Sequence, residues 1–147
     1  YYGAKKVFWY EMADEPFGPN NPESFFGILR FNESLSVKPS AVAFSNMVNN
    51  YRHAIPVGKY VGQSYGFAYD NQGKNQLCLW TEKDSKEETL YLPNTKKVNV
   101  IDIFGRVQQL KVLNGKVVIT IGYLPITITG FDQDDFTGLY TPRKVVK

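Results

Sequence analysis

Residues 7–44 read VFWYEMADEPFGPNNPESFFGILRFNESLSVKPSAVAF. Val7, Phe8, Trp9 and Tyr10 form a continuous run of β-formers. Continuous rather than alternating apolarity belongs to a strand covered on both faces, as in a parallel sheet with helices outside. Pro16, Gly18, Pro19 and Pro22 then break any regular pattern and predict a loop over 11–21. Residues 25–31, FFGILRF, are a second apolar run of strand length. Lys38-Pro39 opens a helix, because the N–H that proline lacks would be unpaired at a first helical position anyway. Ala41, Phe44, Val48 and Tyr51, with Met47 alongside, recur at spacings of three and four and predict an apolar stripe. Asn46, Asn49, Asn50 and Arg52 fall on the other side. The helix fades over 53–55 and stops before Pro56. Residues 1–55 thus predict a strand–loop–helix unit, whose apolar stripe needs a partner surface.

After Gly58 the period of the sequence changes to two. Candidate strands are 65–69, 76–82, 89–92, 98–103, 107–113, 116–121 and 125–129. Turn signals separate them at Asp70-Asn71-Gln72-Gly73, Pro93-Asn94, Phe104-Gly105 and Asn114-Gly115. Asn-Gly is the strongest of these, since both residues accept the positive φ of a type I′ hairpin turn. Short strands at even spacing predict a mainly β fold, an antiparallel β-sandwich of about seven strands over 58–147. The tail from Asp132 is polar; Asp132, Asp134 and Asp135 read as a solvated acidic turn, with partial order through Phe136, Leu139 and Tyr140.

Composition narrows the functional classes. Charged residues are 21% and the net charge is +3, with the basic residues scattered apart from Arg143, Lys144 and Lys147. That is not the dense basic face of a nucleic-acid binder. No apolar run reaches the length of a membrane-spanning helix. The one cysteine, Cys78, and the one histidine, His53, supply no ligand pair for a metal, and no cofactor motif is present. Cys78 lies in the apolar run LCLW and reads as a small buried hydrophobe. Nothing here has the pattern of a signal peptide, and a piece of a longer protein would not be required to carry one. Aromatic residues are 15% of the chain, enough for a β core, a stacking surface, or both.

Phe8-Trp9-Tyr10, Phe26-Gly27-Ile28-Leu29 and Lys38-Pro39-Ser40-Ala41 occur in the order and spacing of the last βα unit of clan-A (β/α)8-barrel glycoside hydrolases, which this half of the chain resembles. The second half resembles the β-sandwich appended to many such barrels, through Leu79-Trp80-Thr81, Asp102-Ile103-Phe104-Gly105 and 124–128. The resemblance implies a C-terminal slice of a retaining enzyme that acts on O-glycosyl bonds, with a secreted or periplasmic address. It also implies that the two catalytic carboxylates, which belong to strands four and seven in that family, lie upstream of Tyr1. The chain alone would then be inactive, with carbohydrate as partner only through its parent. It would also tend to self-associate through the exposed barrel remnant.

By the same resemblance, Trp9 is the apolar floor under the sugar. Glu11, beside it at the strand end, is a second candidate for substrate contact, at most an indirect one, against the plainer reading of a solvated loop. The plain alternative for Trp9 is a core residue at a sheet edge. Glu11, Asp14 and Glu15 are the carboxylates clustered at a strand end. Glu11 becomes a catalytic nucleophile only if 7–10 is strand seven and 25–31 strand eight, and that register lacks the intervening helix. Tyr65, Tyr69 and Trp80 are candidates for a glycan platform on the sandwich, against the commoner role of such residues in a core or interface. Two further readings of the whole chain stand beside the hydrolase fragment: a non-catalytic carbohydrate-binding module, and a structural interaction module without a ligand.

Overall fold

A computed structural model describes residues 8, 11–16, 18, 20–32, 34–82 and 84–143. Strand 7–10, and with it Trp9, lies outside the described residues except for Phe8, whose side chain is 83% exposed.

The chain after residue 38 is a helix followed by a β-sandwich. Helix α1, Pro39–Tyr51, starts with Lys38 in extended conformation and a proline in its first turn, as the sequence predicts. Among the described residues nine strands follow: β1 (Ala54–Tyr60), β2 (Tyr65–Asn71), β3 (Lys74–Trp80), β4 (Lys86–Tyr91), β5 (Lys97–Ile101), β6 (Val107–Lys111), β7 (Lys116–Ile121), β8 (Ile126–Thr129) and β9 (Tyr140–Pro142). A short helix α2, Gln133–Thr137, precedes the last of them. Seven strands make one antiparallel sheet in the order β6-β5-β8-β3-β2-β1-β9; β4 and β7 pair as a second sheet.

The core lies between the sheets because alternation puts one row from each strand inward. Ala68, Leu77, Leu79, Val98 and Ile128 come from the large sheet and meet Leu90, Val117, Ile119 and Ile121 of the small one. Phe136 of α2 and Leu139 close the end. The hairpin turns Gln72-Gly73 and Asn114-Gly115 have positive φ at both positions, the backbone twist that two-residue loops between right-twisted strands require.

Four readings are corrected. Residues 25–31 are not a strand: Pro22–Phe25 is a 3-10 turn, and beyond it only Leu29 bridges, to Ala13 and to Val37. Phe25, Phe26 and Phe31 are exposed, so no neighbouring strand holds the run extended. Residues 54–60 form a strand despite Pro56 and Gly58; the ladder to β2 bulges there, and β9 pairs β1 only from Gly58 onward, so the proline interrupts no ladder bond on that side. The acidic turn is not solvated throughout. Asp135 is buried, accepting from the backbone N–H of Asn94 and Thr95 and from the Thr95 hydroxyl. Asp132 caps α2 by accepting from Asp134 N–H.

The helix stripe is also rotated from the sequence pattern. Phe44, Met47, Asn50 and Tyr51 turn toward the sheet, and Asn46 reaches the turn after β5, donating to the Ile103 carbonyl. No residue of α1 is buried.

Candidate functional site

The segments around residues 12, 28 and 37 run side by side and are stitched by backbone bonds. Leu29 N–H donates to the Met12 carbonyl, Asp14 N–H to Leu29, Arg30 N–H to Ser36 and Lys38 N–H to Ile28. Across their ends lies Lys38. Its ammonium donates to Asp14 Oδ1 and to the carbonyls of Phe25 and Gly27, the latter two at 3.0 Å. Three donors meet three acceptors, which is the full capacity of an ammonium. Asp14 Oδ1 also accepts from Gly27 N–H at 3.1 Å. A Cβ at residue 27 would sit 2.2 Å from the backbone of Ala13 and Asp14, so the close approach that this bond needs admits only glycine.

The result is a loop, 15–26, that leaves from Asp14 and returns to Gly27 at a neck closed by one buried ion pair. Inside it, Ser24 binds the Gly18 carbonyl through its hydroxyl at 2.9 Å, and Asn21 N–H donates to the same carbonyl. Compact loops of this kind, with joined ends and internal packing, often carry function. Between Glu11 and Lys38 no α-helix intervenes among the described residues. Glu11 is half-buried, with Oε2 shielded from solvent. Of the carboxylates at this strand end, Asp14 is committed to Lys38 and Gly27. Both contacts hold the neck of the loop. Trp9, expected from the sequence as a sugar floor, lies outside the described residues.

The outer face of the large sheet carries the second set of candidates. Tyr65 and Trp80 are cross-strand partners of β2 and β3. Their rings lie 5.9 Å apart and 22° from parallel, with Phe67 5.8 Å from Trp80. Tyr65 is 46% exposed. A hydrogen bond with Glu82, then the charge of that carboxylate, raises the Tyr65 hydroxyl above the ordinary tyrosine value. Tyr69 is not part of this group. It lies under α1, edge-on to Tyr51 at 5.2 Å, and burial pushes its hydroxyl up to about 12.

Tyr51, at the end of α1, is hydrogen-bonded to the Thr127 hydroxyl at 2.5 Å, and its own hydroxyl is raised well above its ordinary range, first by burial. Cys78 sits beside it, its thiol also raised by burial. Asn71 donates to the Asn50 carbonyl at 2.7 Å. These contacts fasten the C-terminal half of α1. Around its sheet-facing side is a cleft of about 630 Å³, lined by Phe44, Met47, Tyr69, Cys78, Ile103 and Pro125 among others.

Sequence reasoning did not single out two buried polar centres. Glu88 accepts from Ser64 Oγ at 2.6 Å, Tyr60 Oη at 3.0 Å and Gln63 N–H at 3.1 Å. Burial alone would raise this carboxyl, but the three donors outweigh it and hold the group below the ordinary glutamate value. Asp135 is the other. Both tie the small sheet and its connections to the large one. The alternation of Glu88 with its neighbours on β4 was the available signal, since Glu88 shares the inward row with Leu90. Among the described residues no three His, Cys, Asp or Glu side chains come together as a metal site requires. No described helix is long and apolar enough to cross a membrane.

This architecture has a solved counterpart. A family 39 glycoside hydrolase from the gut symbiont Bacteroides cellulosilyticus WH2 superposes with a TM-score of 0.72 and 26% sequence identity over 84% of this chain. The fold is glycoside-hydrolase-like. The chain spans about a quarter, 26%, of the length of that enzyme. No family model matches the sequence, and no curated protein matches it.

Proposed function

We propose that the chain is the C-terminal portion of a clan-A (β/α)8-barrel glycoside hydrolase: the last βα unit, with helix α1 as its helix, followed by an accessory β-sandwich. The observation that carries this reading is the superposition on a family 39 hydrolase over most of this chain and a quarter of that one. The motif order Phe8-Trp9-Tyr10, Phe26-Gly27 and Lys38-Pro39 supports it. In the whole enzyme, hydrolysis of the O-glycosyl bond falls to two carboxylates supplied upstream, about 5–5.5 Å apart as retention of configuration requires. Trp9 packs its ring on the C–H face of the sugar, and Glu11 contacts it from the same rim. The sandwich fastens the last helix. The enzyme is secreted or periplasmic.

The test is catalytic. A polypeptide comprising the upstream coding sequence and this chain hydrolyses aryl glycosides with retained configuration, and the 147-residue chain alone does not. Trp9→Ala in the long polypeptide raises KM. Hydrolysis by the chain alone, or a long polypeptide inert on every glycoside, would count against it.

A second reading, glycan binding by the sandwich itself, draws on the exposed Tyr65 beside Trp80. Glycan-array binding lost in Tyr65→Ala and Trp80→Ala would support it. Loss of Tyr69 should then matter little to binding, because Tyr69 is covered by α1.

A further inference from the structure

Helix α1 has more apolar surface than the sheet covers. Met47 is 50% exposed, Val42 and Val48 are also exposed, and Phe44 and Ile103 line an open cleft. The rim continues in the same sense: Pro125 lines the cleft, and its neighbours Tyr123 and Leu124 are exposed, as is Phe104 beside Ile103. This surface is continuous with the established contact of α1 on the sheet, made by Tyr51, Asn46 and Asn50. A helix in the outer ring of a (β/α)8 barrel lies between two other helices. Among the described residues α1 has no helical neighbour, since α2 is five residues long and buries Phe136 in the sandwich core.

We infer that the cleft between α1 and the 102–104 and 123–125 turns is the seat of an amphipathic helix from the preceding barrel domain, so that the sandwich contacts the barrel through this second helix as well as through α1. The inference rests on the proposed hydrolase reading. The superposed enzyme has about three times more chain outside the matched region than within it, enough to supply such a helix. The recognition is of the helix-in-groove kind, with apolar side chains at spacings of three and four entering between Phe44, Met47 and Pro125. A glycan is a poorer occupant, because Asn46, Asn50 and Asp102 are the strongly polar side chains lining the cleft, and Asn46 and Asp102 are already bonded within the fold.

Hydroxyl-radical footprinting of the 147-residue chain and of the polypeptide from its whole reading frame tests this. Met47 and Leu124 are predicted to oxidise several-fold more slowly in the longer polypeptide. Tyr91 and Leu113, exposed elsewhere, serve as references and should not change. Met47→Glu should leave the melting temperature of the short chain unchanged and lower that of the long one. Equal oxidation of Met47 and Leu124 in a long polypeptide that does hydrolyse glycosides overturns the inference and leaves the hydrolase reading standing. Protection that appears only on dimerisation assigns the face to a second copy and also overturns it. An upstream sequence with no barrel removes both.

Discussion

Lys38 is the residue on which the N-terminal unit depends. Its ammonium and Asp14 are both largely removed from water, with side chains 16% and 10% exposed. Breaking such a pair from one side leaves a buried charge without its counter-ion. Lys38→Met should cost about 2–4 kcal/mol in chemical denaturation, and Asp14→Asn combined with it should recover part of the loss. Hydrogen exchange should rise over 15–26 before it rises in the sandwich. The clasp was not legible in the sequence. A lysine before a proline announces a helix start, but nothing in the chain pairs it with a carboxylate twenty-four residues earlier. Glu88 yields a pH prediction. Its carboxyl is held below the ordinary value of 4.5, so the stability it contributes is present above that pH and is lost as pH falls through the folded-state value. The denaturation midpoint of the native protein should fall on acidification below about pH 4.5, and Glu88→Gln should flatten that slope while costing about 1–2 kcal/mol at neutral pH.

At the scale of elements, β4 and β7 were the most readable strands because one face of each is buried and the other wet. Val117, Ile119 and Ile121 face the core while Lys116, Val118 and Thr120 are exposed. What escaped reading is short or carries a breaker. β1 contains Pro56 and Gly58, β9 has three residues, and α2 is a single capped turn and a half. Residues 25–31 look like a strand by composition, but the chain offers them no ladder beyond Leu29. Helix α1 was legible in extent, whereas its rotation was not, because the Asn46 side chain fastens it to the 102–104 turn and the Asn50 backbone carbonyl accepts from Asn71 of β2. Tyr51→Phe should therefore cost about 1 kcal/mol through the lost bond to Thr127, read by thermal unfolding, with the strand content unchanged by circular dichroism.

At the scale of the molecule, the core among the described residues belongs to the sandwich. Before the sandwich, Phe8, Met12, Phe25, Phe26, Phe31 and Val37 are exposed, in a stretch whose described segments are joined by backbone bonds and the Lys38–Asp14 clasp. Exposed apolar surface on that scale marks an interaction face. The 147-residue chain alone is predicted to self-associate through it in light scattering, and a monodisperse monomer would count against this. Of the candidate site, the Lys38-Pro39 helix start was legible in the sequence, and the cleft beside α1 was not, since it is formed by turns far apart in the chain. The most direct measurement is the sequence of the reading frame upstream of Tyr1. A (β/α) barrel with two strand-end glutamates is expected there, and replacing those glutamates should abolish glycoside hydrolysis. A start codon with an ordinary leader immediately before Tyr1 would contradict it.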